Sequence, residues 1–479
     1  MKTSIRGFFL ALAAMLASAG QSISPGLAHV LGSISPEAMR ANLSYLASNL
    51  LEGRDTPSPG LDIAADYIAA QFRKAGLKPV AGNSYFQTAR MLRPGPPPEG
   101  FTLQFSSSGR TLKVAKDQAV LVSGRAIDFA HVAVEKAHDL ADLRNADLKG
   151  KALLLDEPAD GEHALAQAAA ALHPAMFLET SENFGPQTAR RLIDPDEERA
   201  LWGDIPRLIV CDPDAAAMLS AASIGETGIV LAVHSAAPAE RYVPVRNVAG
   251  LLRGSDPALR GHYLLISAHY DHIGRNDRGE INPGANDDGS GTVSVIEIAR
   301  ALAAMPVHPK RSILFILFFG EEEGSLGSRY YIWHPLEPLA DTIADLNLEQ
   351  VGRTDAIDGP QLSKATLTGF RYSSVTRTLQ QAGALTGVQV AETPNDGDFF
   401  RRSDNLPFAE RGIPAHTIVV ALDFPGYHAP GDVWQKIDYA NMAKVDRMIA
   451  LAAIQLADSP GAPEWNRDDP DAAVYLHAR

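Results

Sequence analysis

The stretch "ILFILFFGEEEGSLGS", Ile313–Ser328, leads seven apolar residues through a single glycine into three adjacent glutamates. A segment apolar at every position, not at alternate ones, predicts a strand buried on both faces. Such strands belong to α/β sheets covered by helices on each side. In open α/β sheets, ligands bind beyond the carboxyl ends of the strands, and there Glu321, Glu322 and Glu323 stand. Three carboxylates at the mouth of a buried strand need a chemical reason.

The rest of the C-terminal half repeats the arrangement. Asn247–Leu252, Tyr263–Ala268, Ile343–Leu348 and Thr417–Val420 read as further strands. Thr292–Ala303 reads as a helix with Val295, Ile298, Ala299 and Leu302 on one face. His269 and Asp271 follow "YLLISA", Glu349 follows "IADLNL", and His428 follows "HTIVVALDFPGY". The loop "NPGANDDGSG" adds Asn286, Asp287 and Asp288 to the same edge if the strands are parallel. Histidines and carboxylates gathered without lysine or arginine repel themselves unless cations fill the cluster. Imidazole nitrogen and carboxylate oxygen without thiolate suit Zn²⁺ and accommodate Mn²⁺ or Co²⁺. The candidate ligands are too many for one tetrahedral ion and fit two ions sharing a carboxylate.

Composition narrows the partners. The chain has 479 residues, enough for two or three domains, with 46% apolar and 21% charged residues. Its net charge of −14 argues against a nucleic-acid partner. The single cysteine, Cys211, excludes an internal disulfide and a cysteine-ligated zinc finger. Lys2 and Arg6, the apolar Gly7–Leu16 and Ala17-Ser18-Ala19 form a secretory signal pattern over residues 1–19, so the expected location is periplasmic or secreted. No later apolar run is long enough to span a membrane.

The segment "SPGLDIAADYIAAQFRKAG" reads as a capped helix. "RPGPPPEG", Arg93–Gly100, reads as a domain break. The expected layout is a catalytic domain over 33–95 and 245–458, an inserted domain over 100–240 and a mobile polar tail over 459–479.

The ordered motifs "ISAHYDHIG", "PGANDDGSG", "FFGEEEGSLGS", "LNLEQVGR", "RSDNLPFAERGIPA" and "YHAPGD" resemble those of the co-catalytic zinc aminopeptidase family, the exported bacterial enzymes related to glutamate carboxypeptidase and the transferrin receptor. The resemblance runs from about Ser35 to Leu456. "LKGKALLLD" and "DIPRLIVCD" resemble a protease-associated domain in the insertion. It implies an α/β fold: a mixed, largely parallel sheet sandwiched by helices, with a smaller β-rich inserted domain. It also implies two Zn²⁺ per chain. His269, Asp287 and Glu349 would hold one, and Glu322, His428 and the shared Asp287 the other. Asp271 would fix the His269 tautomer, Glu321 would act as general base, and Tyr427 would stabilise an oxyanion. Peptides with a free N-terminus would be the substrates.

Two positions depart from the family pattern. Glu349 stands where aspartate is usual, and Ser403-Asp404-Asn405 replaces Ser-Asp-His. His272, Asp288 and Glu323 are read as neighbours without a role, and Arg353 as either a substrate contact or an ion pair. A carboxypeptidase or dipeptidase, a glutaminyl cyclase and a non-catalytic receptor-like protein remain alternatives.

Overall fold

The computed structural model describes residues 22–156, 162–180, 191–392 and 396–476. The expected signal segment, 1–19, lies outside them. Two compact units emerge, one formed by the chain up to Gln87 together with Arg246 onward, the other by Thr88–Val245.

The first unit is built on a sheet of eight strands, of which Thr88–Leu92 and Tyr242–Val245 fall within the bounds of the second unit: β1 (Phe86–Leu92), β2 (Tyr242–Leu252), β3 (Tyr263–His269), β4 (Ser312–Phe318), β5 (Thr342–Leu348), β6 (Lys364–Leu367), β7 (Gln389–Ala391) and β8 (Ala415–Val419). Their order in the sheet is β1-β2-β4-β3-β5-β8-β6-β7. β4, β3, β5 and β8 run parallel. β2 is antiparallel to β4, and β6 is antiparallel to β8, so the sheet is mixed, as expected.

Seven helices matter to this unit: α1 (Pro36–Leu46), α2 (Pro59–Ala75), α3 (Gly291–Ala303), α4 (Leu326–Trp333), α5 (Val375–Thr386), α6 (Asn405–Ala409) and α7 (Tyr439–Asp458). α3 packs directly on β3, β4 and β5, with α1, α2 and α7 around it and α5 against α7. α4 and α6 pack on the opposite face. This sandwich explains why β4 is apolar throughout. Leu314, Ile316 and Phe318 join Tyr331 and Phe408 in the core on the α4–α6 side. Ile313, Phe315 and Leu317 alternate with them, equally buried, towards α3.

α2 shows how closely the sequence writes an element. Ser58 caps it, accepting from the Leu61 N–H, and Pro59 fills the first position. Leu61, Ala64, Ala65, Ile68 and Phe72 form its buried face, and Gly76 closes it with φ 85°. Losing such a cap costs about 1 kcal/mol.

In the second unit, eight strands pair in the order Arg110–Val114, Thr102–Ser107, Gly225–Ser235, Ile127–Ala137, Ala152–Leu155, Met176–Thr180, Arg207–Val210, Ala119–Val122. The four from Ile127–Ala137 to Arg207–Val210 are parallel neighbours. The expected boundaries of 100 and 240 move to Thr88 and Val245. The proline-rich Arg93–Gly100 belongs to this unit and does not separate it from the other. The Arg93 N–H donates to the Arg241 carbonyl, and Leu92 pairs with Ile193, so the segment is tied in on both sides of its start.

The expected mobile tail is also corrected. Trp465, Ala472 and Tyr475 are buried with Tyr372, Phe400 and Ala409. The Trp465 indole N–H donates to the Gly412 carbonyl at 3.0 Å. A few aromatic residues in a polar stretch are enough to dock it.

Candidate metal centre

The parallel strands β3, β4, β5 and β8 deliver their next residues to one edge. His269 ends β3, Glu321 and Glu322 follow β4, and Glu349 follows β5. Asp287 comes from the loop Ala285–Ser290, where Asp287 and Asp288 leave helical dihedrals before α3 begins. His428 comes from the long loop after β8, at φ 50°.

Neighbouring polar groups fix these loops. Asp432 accepts the N–H groups of Asn286 at 2.9 Å and Asp287 at 3.1 Å. Asn286 Oδ1 accepts from Gly352 and Arg353 at 2.9 and 2.8 Å. Asp288 Oδ1 accepts from Gly291 at 2.9 Å and Gln350 at 3.1 Å, joining the Asp287 loop to the residue after Glu349. A Cβ on Gly291 would come within 2.3 Å of the Leu348 carbonyl oxygen, so only glycine lets α3 start this close to β5.

The carboxylate of Asp287 stands at the centre. Its Oδ1 is 3.4 Å from His269 Nε2, and its Oδ2 is 3.0 Å from His428 Nε2. Glu322 Oε2 is 3.2 Å from the same His428 nitrogen. Ligand atoms of His269, Asp287 and Glu349 lie within 4.8 Å of one another, as do those of His272, Asp287, Glu322 and His428. Asp271 Oδ1 is 3.3 Å from His269 Nδ1, and its Oδ2 accepts the Thr56 hydroxyl at 3.1 Å. Glu321 Oε2 is 3.8 Å from His269 Nε2.

Burial and mutual charge set the protonation. Burial alone raises Asp287, and the close approach of His269 and His428 reverses this, holding it well below the usual carboxylate range. Burial raises Glu321 well above that range, with Glu349, Glu322 and Asp404 adding to the rise against the opposing pull of His269. Glu349 rises for the same first reason, with Asp287 and Glu322 adding to it. Burial lowers His428, and the hydrogen bonds to Asp287 and Glu322 overcome this, lifting it to about 10. Crowded carboxylates thus add to the rise of Glu321 and Glu349 even with His269 beside them.

Comparison with known proteins matches residues 247–453 to the model of Peptidase family M28. That stretch, less than half of the chain, is similar to peptidase family M28. It spans every residue of the cluster. Aminopeptidase YwaD of Bacillus subtilis is 29% identical over 207 residues, covering 42% of this chain and 42% of the relative. The probable glutamate carboxypeptidase VP8 of Zea mays is 28% identical over 245 residues, covering 47% of this chain and 32% of the relative. The chain thus spans about half or less of the length of these two curated relatives. In structure it resembles the aminopeptidase from Aneurinibacillus sp. strain AM-1, with a TM-score of 0.55 at 21% identity, covering 92% of this chain and 97% of the other. That likeness carries the fold.

Zinc, implied by the M28 stretch, fits these residues. Both ring nitrogens of His269 are buried without a completed hydrogen bond, as is His272 Nε2. Nitrogen and carboxylate donors without thiolate suit a borderline ion. Nitrogen and oxygen donors on one tetrahedral ion stand about 3.3 Å apart, given ion–ligand distances near 2.0–2.1 Å. The 3.0–3.4 Å spacings around Asp287 are close to that.

Other residues take clear places. Tyr427 stacks on the His428 ring at 4.0 Å. Burial, then Asp287, Glu322 and other carboxylates, raise its hydroxyl, which stays protonated. Arg353 is an ion-pair residue: Nε and Nη2 bond Asp355 at 2.6 and 2.5 Å. Asn405, where the family pattern has histidine, donates to the Phe400 carbonyl and accepts from Thr417, a structural role. Asp404 is buried and accepts the Ser328 hydroxyl at 2.6 Å. Burial first, with a rise from Asp271 and Glu349, lifts its carboxyl to about 7.

Sequence reasoning passed over three residues. His272, read as a neighbour without a role, is completely buried and bonds Glu322. Asp432 closes the motif "YHAPGD", and its bonds to the Asp287 loop are not visible in that motif. Arg54 lay in "LEGR", and nothing in a lone arginine there signals its bonds to the Tyr270, Leu46, Pro283 and Gly284 carbonyls.

Proposed function

We propose that this chain is an exported metallo-aminopeptidase that removes N-terminal residues from peptides with two zinc ions and a glutamate base. One observation carries the reading: the two oxygens of Asp287 face different histidines, His269 and His428. His269, Asp287 and Glu349 would hold one ion, and Asp287, Glu322 and His428 the other. The ions would supply Lewis acidity and lower the pKa of a captured water from 15.7 towards about 7.

The chain's own groups do the rest. Glu321 takes the proton from the attacking water and returns it to the leaving amine as the C–N bond breaks. Neutralising the cluster's negative charge would remove the part of Glu321's upward shift that Glu349, Glu322 and Asp404 cause. The protonated Tyr427 hydroxyl donates to the developing oxyanion. Surplus carboxylates receive the substrate's α-ammonium group. Arg54 is committed to main-chain carbonyls, and Arg353 binds Asp355 through Nε and Nη2.

Export rests on the pattern of residues 2–19. No helix among the described residues is long and apolar enough to cross a membrane. The protease-associated reading of the second unit rests on "LKGKALLLD" and "DIPRLIVCD", which supply its strands Ala152–Leu155 and Arg207–Val210. A panel of aminoacyl anilides, their N-acetylated forms and N-blocked peptides tests the activity. Cleavage of the free-amine substrates alone is expected. Release of C-terminal residues from blocked peptides would make the chain a carboxypeptidase.

A further inference from the structure

His272 has no place in the ligand sets proposed above, yet it is fully buried against them. Its Nδ1 is 2.7 Å from Glu322 Oε1. The other oxygen, Glu322 Oε2, is 3.2 Å from His428 Nε2. One carboxylate thus divides its two oxygens between two histidines. The spacing separates their roles. Donors sharing a tetrahedral ion stand about 3.3 Å apart, and 2.7 Å falls well short of that. It is a hydrogen-bond distance. An ionised carboxylate only accepts, so the His272 Nδ1–H donates.

The loop leaves room for this ring at one point. Gly284, at φ 59°, faces it closely: a Cβ there would lie 2.5 Å from His272 Cγ and 2.6 Å from Cδ2. The His272 and His428 rings meet edge to face at 5.5 Å. The imidazole is thereby confined between the Asp287 loop and Glu322.

We infer that His272 is a positioning residue: it holds Glu322 Oε1 by a hydrogen bond and leaves Oε2 as the single oxygen that binds metal beside Asp287 and His428. This rests on the two-ion reading. It mirrors Asp271, a carboxylate beside a ligating histidine; here a histidine holds a ligating carboxylate. Such partners typically change metal affinity 10–100-fold.

The test compares the native chain with His272→Asn, His272→Gln and His272→Ala. Asparagine can place its amide N–H where Nδ1 stands; glutamine places it further out, and alanine has none. Metal content is measured after dialysis against graded chelator, alongside the visible spectrum of the Co²⁺-loaded forms. The native chain should hold two ions. His272→Gln and His272→Ala should release one of them at about 10–100-fold lower chelator. His272→Asn should keep it near the native level with an unchanged cobalt spectrum. The Asn–Gln comparison stands even if the alanine variant does not fold. Two ions in the native chain, retained equally by His272→Gln, would overturn the inference alone. Loss in His272→Asn equal to that in His272→Gln, with an altered cobalt spectrum, would make His272 a ligand and overturn it as well. A native chain that binds no ion would overturn the two-ion reading itself.

Discussion

Glu321 and Glu322 are adjacent in sequence, yet the fold shifts them in opposite directions. Burial and surrounding carboxylates raise Glu321. For Glu322, burial and Asp287 work upward, but hydrogen bonds to His272 and His428 prevail and lower it. One is suited to accept and return a proton, the other to remain an anionic ligand. Glu321→Gln should keep fold and metal content and lose about 10²–10⁴-fold in kcat; loss of an ion in that variant would make Glu321 a ligand. A residue outside the candidate ligand sets gives a pH test. His416 is buried, its Nδ1 bonded to the Thr368 carbonyl at 2.8 Å and its Nε2 to the Ser373 hydroxyl at 2.6 Å. Burial, only partly opposed by the Thr368 contact, pushes its imidazole down to about 4. The unfolded imidazole titrates near 6.5. As pH falls from about 6.5 to about 4, the unfolded chain takes up a proton that the folded chain refuses, so stability drops, by up to about 3 kcal/mol. Melting curves across that window should show a smaller acid loss for His416→Gln than for the native chain. The candidate ligands stand out in sequence because most of them directly follow an apolar strand or sit in a glycine-rich loop, with His428 in the longer loop after β8. His272 does not, because its role depends on how the Asp287 loop returns over it.

At the scale of elements, the strands were the most legible feature. β4 and β5 lie within a residue of their expected ends, because uninterrupted apolar runs have few alternatives to a doubly covered sheet. The turn before α2 was illegible by comparison. Arg54 there sits at φ 51°, fully buried, and three of its four carbonyl partners, on Tyr270, Pro283 and Gly284, flank His269, Asp271 and the Asp287 loop. A guanidinium fork can bridge separate segments in this way, but sequence spacing does not reveal which ones. Arg54→Ala leaves buried carbonyls unsatisfied, at roughly 1–3 kcal/mol each. It should lower the melting temperature and weaken retention of both ions, and Arg54→Lys should not restore them, since an ammonium lacks the planar fork. Native metal retention in Arg54→Ala would show that the two loops hold themselves.

For the whole molecule, the two compact units divide at Gln87/Thr88 and Val245/Arg246, while the sequence pattern points to 100 and 240. A proline-rich segment looks like a linker, yet β1 runs straight into it and its backbone bonds to Arg241. The polar C-terminal stretch looked mobile because few apolar residues interrupt it; Trp465 and Tyr475 dock it on Tyr372 and Phe400. Truncation after Asp458 should expose that aromatic cluster and destabilise the first unit by about 3 kcal/mol or more, comparable to removing one large buried aromatic. An unchanged melting temperature would mean the stretch contributes nothing. Two ions meeting at Asp287 are the core of the proposed site. Zinc titrated into the metal-stripped chain by calorimetry, with aminoacyl anilide cleavage followed at each addition, addresses this. Two equivalents should bind to the native chain, with full activity after the second, and Asp287→Ala should lose tight binding of both. A single equivalent giving full activity, or two bound equally tightly by Asp287→Ala, would contradict the shared carboxylate.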